Sequence, residues 1–265
     1  MDLDTPVSEL HLVGPAFAKR LKKLEIATVR DLINHFPFRY DDYSLVSAIN
    51  RVQPGETITI RGQLLYIKNE YTRLGKKIQK ATVVDNSGKM EITWFNQPFL
   101  IKTLRVGEWY QFSGKADWFG KKIVLISPEY EIIGNTNTQH ATRKPIHTGR
   151  LVPVYPETYG ISSKWLRARI AFALPLAKEQ LKEYLPFSIL VKEKLLPYKE
   201  AVWKIHFPEN KLAAQKARER LAFDELFLIQ LAGLLRKREW QERSVSHKLT
   251  IEAKKIKNFI SNLPF

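Results

Sequence analysis

No cysteine occurs in the 265 residues. Disulfides, thiolate zinc sites and thiol nucleophiles are thereby excluded, and the composition suits a reducing cytosol. Long apolar runs are missing as well. The most hydrophobic stretch, LFLIQLAGLL at 226–235, is too short to span a bilayer and is followed at once by RKREWQER. The opening MDLDTPVSEL is acidic and polar, unlike a secretory signal. Catalytic signatures are equally scarce. Gly75-Lys76 and Gly120-Lys121 lack the upstream glycine and the following hydroxyl of a phosphate loop, and neither HExxH nor GxSxG occurs. The histidines, at 11, 35, 140, 147, 206 and 247, show no metal-ligand spacing. Internal repeats and low-complexity tracts are absent, which argues against a solenoid or a disordered tail. The expectation is a binding module rather than a catalyst.

Acidic residues are in short supply. Lys and Arg number 43 against 27 Asp and Glu, a net charge of +16 with a pI near 9.8. Residues 1–50 hold 6 basic and 7 acidic side chains, 51–134 hold 13 and 8, and 135–265 hold 24 and 12, so the excess belongs to the later segments. Such a balance points to a polyanionic partner, with nucleic acid ahead of an anionic membrane surface. The 44% hydrophobic content and the length allow two domains, or one large one, with a real core.

Four segments follow from the pattern. Residues 1–53 read as helical: Gly14-Pro15 opens a helix with Phe17, Leu21 and Leu24 on one face, and Thr28 caps a second helix carrying Val29, Leu32, Ile33 and Phe36 up to Pro37. This is either a helix-hairpin-helix-like element or a bare helical pair, since the usual second hairpin glycine is replaced in His11-Leu12-Val13. From 54 to 134 the period becomes two. ETITIRGQLLYI places Ile58, Ile60, Leu64 and Tyr66 in alternation, with Gly62 as a candidate bulge. KIQKATVVD and KMEITWF flank a turn at Asn86-Ser87-Gly88, and EWYQFSGKADWF and KKIVLISPEYEII flank Gly120. Asn96 is placed as cap of a short helix over 98–104 bearing Leu100, Ile101 and Leu104. Three strands, a helix and two strands is the order of an OB-fold, a five-stranded Greek-key barrel. Residues 135–160 read as a linker and an extended segment. Residues 161–265 read as helical, the longest helix covering about 208–243 with an apolar surface wide enough for several neighbours. The class is therefore α+β and multidomain, a barrel flanked by helices.

An OB barrel binds single strands by stacking bases on aromatics while Lys and Arg follow the phosphates. The first loop offers Lys68, Tyr71, Arg73, Lys76 and Lys77, and the last hairpin offers Trp118, Phe119, Lys121 and Lys122. Trp94, Trp109 and Phe112, set among aliphatics, read as scaffold. Phe95 differs: if Met90, Ile92 and Trp94 face inward, Phe95 shares the opposite face with Glu91 and Thr93. Phe99 falls at the margin of the short helix's apolar stripe. Either two rings are offered to a ligand, or each packs under a neighbouring loop or helix.

Taken together, VGPAFAKRLKKLEIATVRDLINHFPFRYDDYS, WFNQPFL, LVPVYPETYGIS, RLAFDELFLIQL and FISNLPF resemble, in order and over nearly the whole chain, the front part of the RecG family of bacterial ATP-dependent DNA helicases. LIxHFPFRYxD and WFNQxxL are the more specific pieces. The resemblance implies the wedge domain, which separates strands at stalled forks and Holliday junctions in recombination and repair. It implies Phe95 and Phe99 as branch-point rings. ATP and Mg2+ are implied only for motor domains that in the family follow an LPF-type segment, so the chain alone is expected to hold no cofactor and to lack ATPase activity. Implied partners are branched DNA, its single-stranded arms and the motor in cis, with the helices bearing Lys164, Arg167 and Arg169 and Arg236, Lys237 and Arg238 linking wedge to motor. A monomer in the bacterial cytoplasm, associated with the nucleoid, completes the reading. A stand-alone OB protein for single strands is the alternative, and a protein-docking scaffold a third.

Overall fold

The structure is a computed structural model and describes residues 2–71, 77–133, 145–243 and 252–263. In chain order its elements are α1 (Pro15–Leu21), α2 (Val29–Asn34), β1 (Arg39–Asp42), β2 (Thr57–Tyr71), β3 (Lys77–Val84), β4 (Lys89–Phe95), α3 (Leu100–Thr103), β5 (Trp109–Phe119), β6 (Lys122–Ile132), β7 (Leu151–Val154), α4 (Ser163–Ala177), α5 (Phe187–Lys192), α6 (Tyr198–His206), α7 (Lys211–Glu242) and α8 (Ala253–Ser261).

Alternating apolar side chains close the middle strands on themselves. β2, β3, β4, β6 and β5 form a closed barrel in that order, antiparallel throughout except for the parallel β4–β6 pair. With α3 between the third and fourth strands, this is the OB-fold. Ile58, Ile60, Leu64, Ala81, Val83, Ile92, Trp94, Phe112 and Leu125 fill the interior, with Leu100 and Leu104 of the α3 segment packed among them. Trp94 and Phe112 are scaffold as the sequence implies, and Trp109 is half-buried.

Two details of the barrel depart from the sequence reading. The irregularity in β2 is at Leu65, where the β2–β3 pairing shifts between Leu64 and Tyr66, not at Gly62. An extra residue inverts the alternation downstream of it. Tyr66 therefore turns outward and Ile67 packs against the core in its place. Gly62 serves a close approach: a Cβ there would stand 2.4 Å from Val83 Cγ1 and 2.8 Å from the Val84 carbonyl oxygen. Gly62→Ala is expected to lose about 1–3 kcal/mol, as overpacking does, read as a lower urea midpoint at unchanged slope; a change within error would show that β3 yields freely. Asn96 does not cap α3. It adopts a left-handed φ of 55° that turns the chain out of β4, and Phe99 is the residue that precedes the helix.

The helices form a second core from both ends of the chain. Leu21, Ile26, Val29, Leu32 and Ile33 pack with Tyr155, Ile161, Leu166, Ile170, Leu174, Val202, Ile205, Ala217 and Leu221. Segments 1–53 and 161–221 thus contribute to one interior, with the barrel segment between them in the chain. Residues 39–42, read as part of a helical region, instead form β1, antiparallel to β7 with Arg39 opposite Val154 and Asp42 opposite Leu151. α2 ends at Asn34, short of the expected Phe36, and Pro37 disfavours helix at the residue before it. Thr28 caps α2 through a reciprocal box with Asp31. Where the hairpin before α1 lacks its second glycine, Leu12 itself takes the left-handed conformation at φ 62°.

Two compact units result, Met1–Leu221 and Ala222–Phe265, and α7 begins in the first and ends in the second. Among the described residues no helix is long and apolar enough to cross a membrane, and no group of three or more His, Asp or Glu could hold a metal ion.

Candidate nucleic-acid interface

Phe95 ends β4, paired with Ile78, and its neighbours fix where the strand stops. The Asn96 amide donates to the Lys77 carbonyl at 2.9 Å, and the Gln97 amide to Oε1 of the fully buried Gln79 at 2.7 Å. Gln79 Nε2 donates in turn to Asn69 Oδ1 at 2.9 Å, which ties the exit of β4 to β2. The Phe95 ring is 43% exposed on the outer face, as strand phase predicts. Thr93, on that same face, is fully buried, so the face is covered beside Phe95 and open at it. The Phe119 ring lies next to Phe95, centroids 6.4 Å apart and planes at 60°. Phe99 is 55% exposed, ahead of α3.

The cations form an ordered pattern around these rings. Lys68 and Lys80 both bind Glu70, at 2.8 and 2.7 Å, and these hydrogen bonds hold the Glu70 carboxyl below the usual range. Lys80 Nζ stands 6.0 Å from the Phe119 centroid, and Lys68 Nζ 6.0 Å from that of Tyr66. Lys122 pairs with Glu91, which raises the ammonium's pKa. Lys68 and Lys122, expected as strand guides, thus have carboxylate partners. Exposed pairs of this kind are worth about 0–1 kcal/mol, so a phosphate can displace the carboxylate. Lys77 is exposed opposite Tyr71, which is 69% exposed. Arg73 and Lys76 lie outside the described residues.

Trp118 and Lys121 belong to a different part of the barrel. With Asn50, Lys89 and Lys122 they border a groove of about 670 Å³ floored by Ile49, Val52, Met90 and Ile123. The Trp118 ring is 57% exposed there. Sequence reasoning missed Tyr66, Lys80 and Lys89. Lys80 was recoverable, since its alternation with Ala81 puts it on the outer face; Tyr66 was not, because the bulge at Leu65 leaves no mark in the pattern.

Three cations assigned to a linking role are structural. Arg167 is buried and donates to Glu129 Oε1 and the Pro153 carbonyl, both at 3.0 Å, and to His147 Nδ1 at 3.1 Å. Lys164 Nζ reaches Glu129 at 3.2 Å and sits 3.7 Å from the Tyr130 centroid, its pKa lowered by burial. Both pin α4 to β6. Arg169 donates to the His11 carbonyl and holds the hairpin before α1. In the second unit Arg236, Lys237 and Arg238 are exposed, with Arg238 bonded to Glu242 at 2.7 Å.

A closed five-stranded barrel with a helix after its third strand, rings and cations on its outer wall and a helical domain built from both flanks, defines an OB-fold protein of composite α+β architecture. A family model described as the RecG wedge domain matches residues 7–176, more than half of the sequence, and the chain belongs to that family. The ATP-dependent DNA helicase RecG of Thermotoga maritima is 34% identical over 268 residues, covering all of this chain and 33% of its own length. That of Bacillus subtilis is 30% identical over 263 residues, covering 98% and 36%. A solved structure of RecG bound to a three-way DNA junction superposes with a TM-score of 0.68 at 32% identity, over the whole of this chain and 35% of that one. The chain spans about a third of the length of the curated relatives it matches.

Proposed function

We propose that this chain recognises branched DNA, forks and four-way junctions, and separates its strands as the wedge portion of a RecG-type helicase in recombination and repair. The observation that carries the reading is the Phe95 ring, out of phase with the barrel core and exposed where β4 ends. Membership of the wedge-domain family and the likeness to a RecG bound to a three-way junction support it. Phe95 caps the last base pair of the parting duplex and Phe99 stacks beside the branch. Tyr71, Lys77 and the Lys68–Glu70–Lys80 cluster guide one strand, with Arg73 and Lys76 from the same loop. Trp118, Lys121 and Lys122 guide another along the groove. A ring stacked on a base contributes about 1–3 kcal/mol, against about 1.4 kcal/mol for an average stacking step. Capping therefore offsets the opening of one step without driving many. Net unwinding needs ATP and Mg2+ at motor domains beyond this sequence, which itself has no phosphate loop.

The second unit supplies the link to that motor. Leu226, Leu228, Ile229, Leu231, Leu234, Leu235 and Trp240 of α7 are all exposed, and at 100° per residue they surround the helix. A helix apolar all round is built for burial, and the relatives' further two-thirds of chain provides the cover. The protein works as a monomer at the bacterial nucleoid, since one barrel carries both branch-point rings and the +16 charge favours DNA.

The test compares a fork, a four-way junction, linear duplex and poly-dT at physiological salt. The fork and junction are expected to bind more tightly than duplex, and Phe95→Ala to weaken fork binding by about tenfold, one lost stacked base. Equal affinity for all four removes the reading. A preference for poly-dT favours a stand-alone single-strand binder instead.

A further inference from the structure

We infer that Phe119 is a positioning residue for Phe95: the ring at the tip of the β5–β6 hairpin braces the ring at the end of β4. The inference rests on the branch-point reading of Phe95 and assigns Phe119 a role distinct from strand contact.

An exposed phenylalanine has little to hold it in one rotamer, and surface rotamers exchange in picoseconds to nanoseconds. A ring that must meet a base pair face-on gains from being fixed beforehand, because ordering it on binding subtracts from affinity. Three features supply that fixing. Gly120, with a φ of 66°, allows the tight return between β5 and β6, and Phe119 pairs directly with Lys122 across it. The two rings meet in a tilted contact, centroids 6.4 Å apart and planes at 60°, within the separations at which aromatic pairs attract. Phe119 is in turn approached by the Lys80 ammonium at 6.0 Å from its centroid, itself anchored by Glu70 at 2.7 Å. A chain of contacts from β2 through β3 and β5 therefore ends on the β4 ring.

A double-mutant cycle in the 265-residue chain tests this, with labelled fork and linear duplex as probes and a thermal melt to verify that each variant folds. Phe119→Ala is expected to weaken fork binding about fivefold, within the range of coupling between touching residues, and to leave duplex binding unchanged. In a Phe95→Ala background the same substitution is expected to change fork binding by less than about twofold. Phe119→Tyr, which keeps the aromatic ring, is expected to restore wild-type affinity. Equal losses in both backgrounds would overturn the inference and make Phe119 an independent DNA contact. No loss from Phe119→Ala beside a clear loss from Phe95→Ala would also overturn it and leave the branch-point reading standing. If Phe95→Ala itself has no effect on fork binding, that reading fails and the inference with it.

Discussion

Replacing Arg220 with alanine is expected to destabilise the first unit by about 3–5 kcal/mol, the usual effect of removing one partner from a buried ion pair. The guanidinium is fully buried on the first turns of α7. It grips Glu183 with both ends, at 2.7 and 3.0 Å, and donates to the Leu196 carbonyl. The Tyr184 and Tyr198 rings lie 5.7 and 5.9 Å from it. Glu183 also accepts the amides of Tyr184, Leu185 and Tyr198 at 3.0, 2.9 and 2.7 Å. Burial alone raises this carboxyl, but the hydrogen bonds from Arg220 and the amides outweigh it and hold the pKa at about 2. Without Arg220 the partly buried Glu183 carboxylate loses its bidentate cation and keeps only the three amide donors among the contacts described. The melting temperature should fall by about 10 °C, at roughly 2–4 °C per kcal/mol for a unit this size. Arg220→Met should lose as much, because it too strands Glu183, whereas adding Glu183→Gln to it should recover part of the loss. A melting temperature within 2–3 °C of wild type in both single variants would mean that Glu183 is rescued by water.

Acid should destabilise the same unit well above the pH at which carboxylates protonate. His206 is fully buried between the Tyr155 hydroxyl, 2.8 Å from Nδ1, and the Ile33 carbonyl, 2.7 Å from Nε2. A neutral ring satisfies both, donating from Nε2 to the carbonyl and accepting the hydroxyl proton at Nδ1. Burial lowers its pKa to about 4. His147 accepts from Arg167 Nε at 3.1 Å, and burial, with the charges of Arg167 and Lys164, lowers it to about 3. In the unfolded chain both protonate near 6.5. Below that pH the unfolded state binds protons that the folded state refuses, so stability is complete above pH 6.5 and falls as pH drops toward 4. Each histidine contributes about 1.4 kcal/mol per pH unit, so the two together remove about 4 kcal/mol by pH 5. Urea midpoints measured between pH 7 and 5 should show this slope, and His147→Gln with His206→Gln should flatten it whatever the variants' absolute stability. An unchanged slope in the double variant would assign the acid sensitivity elsewhere.

Much of the barrel was legible because its signals are local. Alternation in 89–95, the turn at 85–88 and the glycine at 120 are each set by a few adjacent residues, and their order names the OB topology. Phe95 was legible for the same reason, as a strand's two faces follow from parity. Phe119 was seen as an aromatic on a hairpin, but its place against Phe95 depends on how far β5 and β6 curl, which no local pattern encodes. The bulge at Leu65 inverted the assignment of Tyr66 because one unpaired residue leaves composition and spacing untouched. Lys164 and Arg167 looked like surface cations. Only the approach of α4 to β6 made them partners of Glu129.

The amino-acid sequence by itself determined the succession of strands and helix in the barrel, the cap of α2 and the outward phase of Phe95, since each rests on neighbours within a few positions, and the basic balance, which is a simple sum over residues. Tertiary structure alone decided that 1–53 and 161–221 share a core, that β1 pairs with β7 across more than a hundred residues, and which charges are buried clamps. Those outcomes depend on contacts between distant segments, whose free energy appears only once the chain has closed on itself.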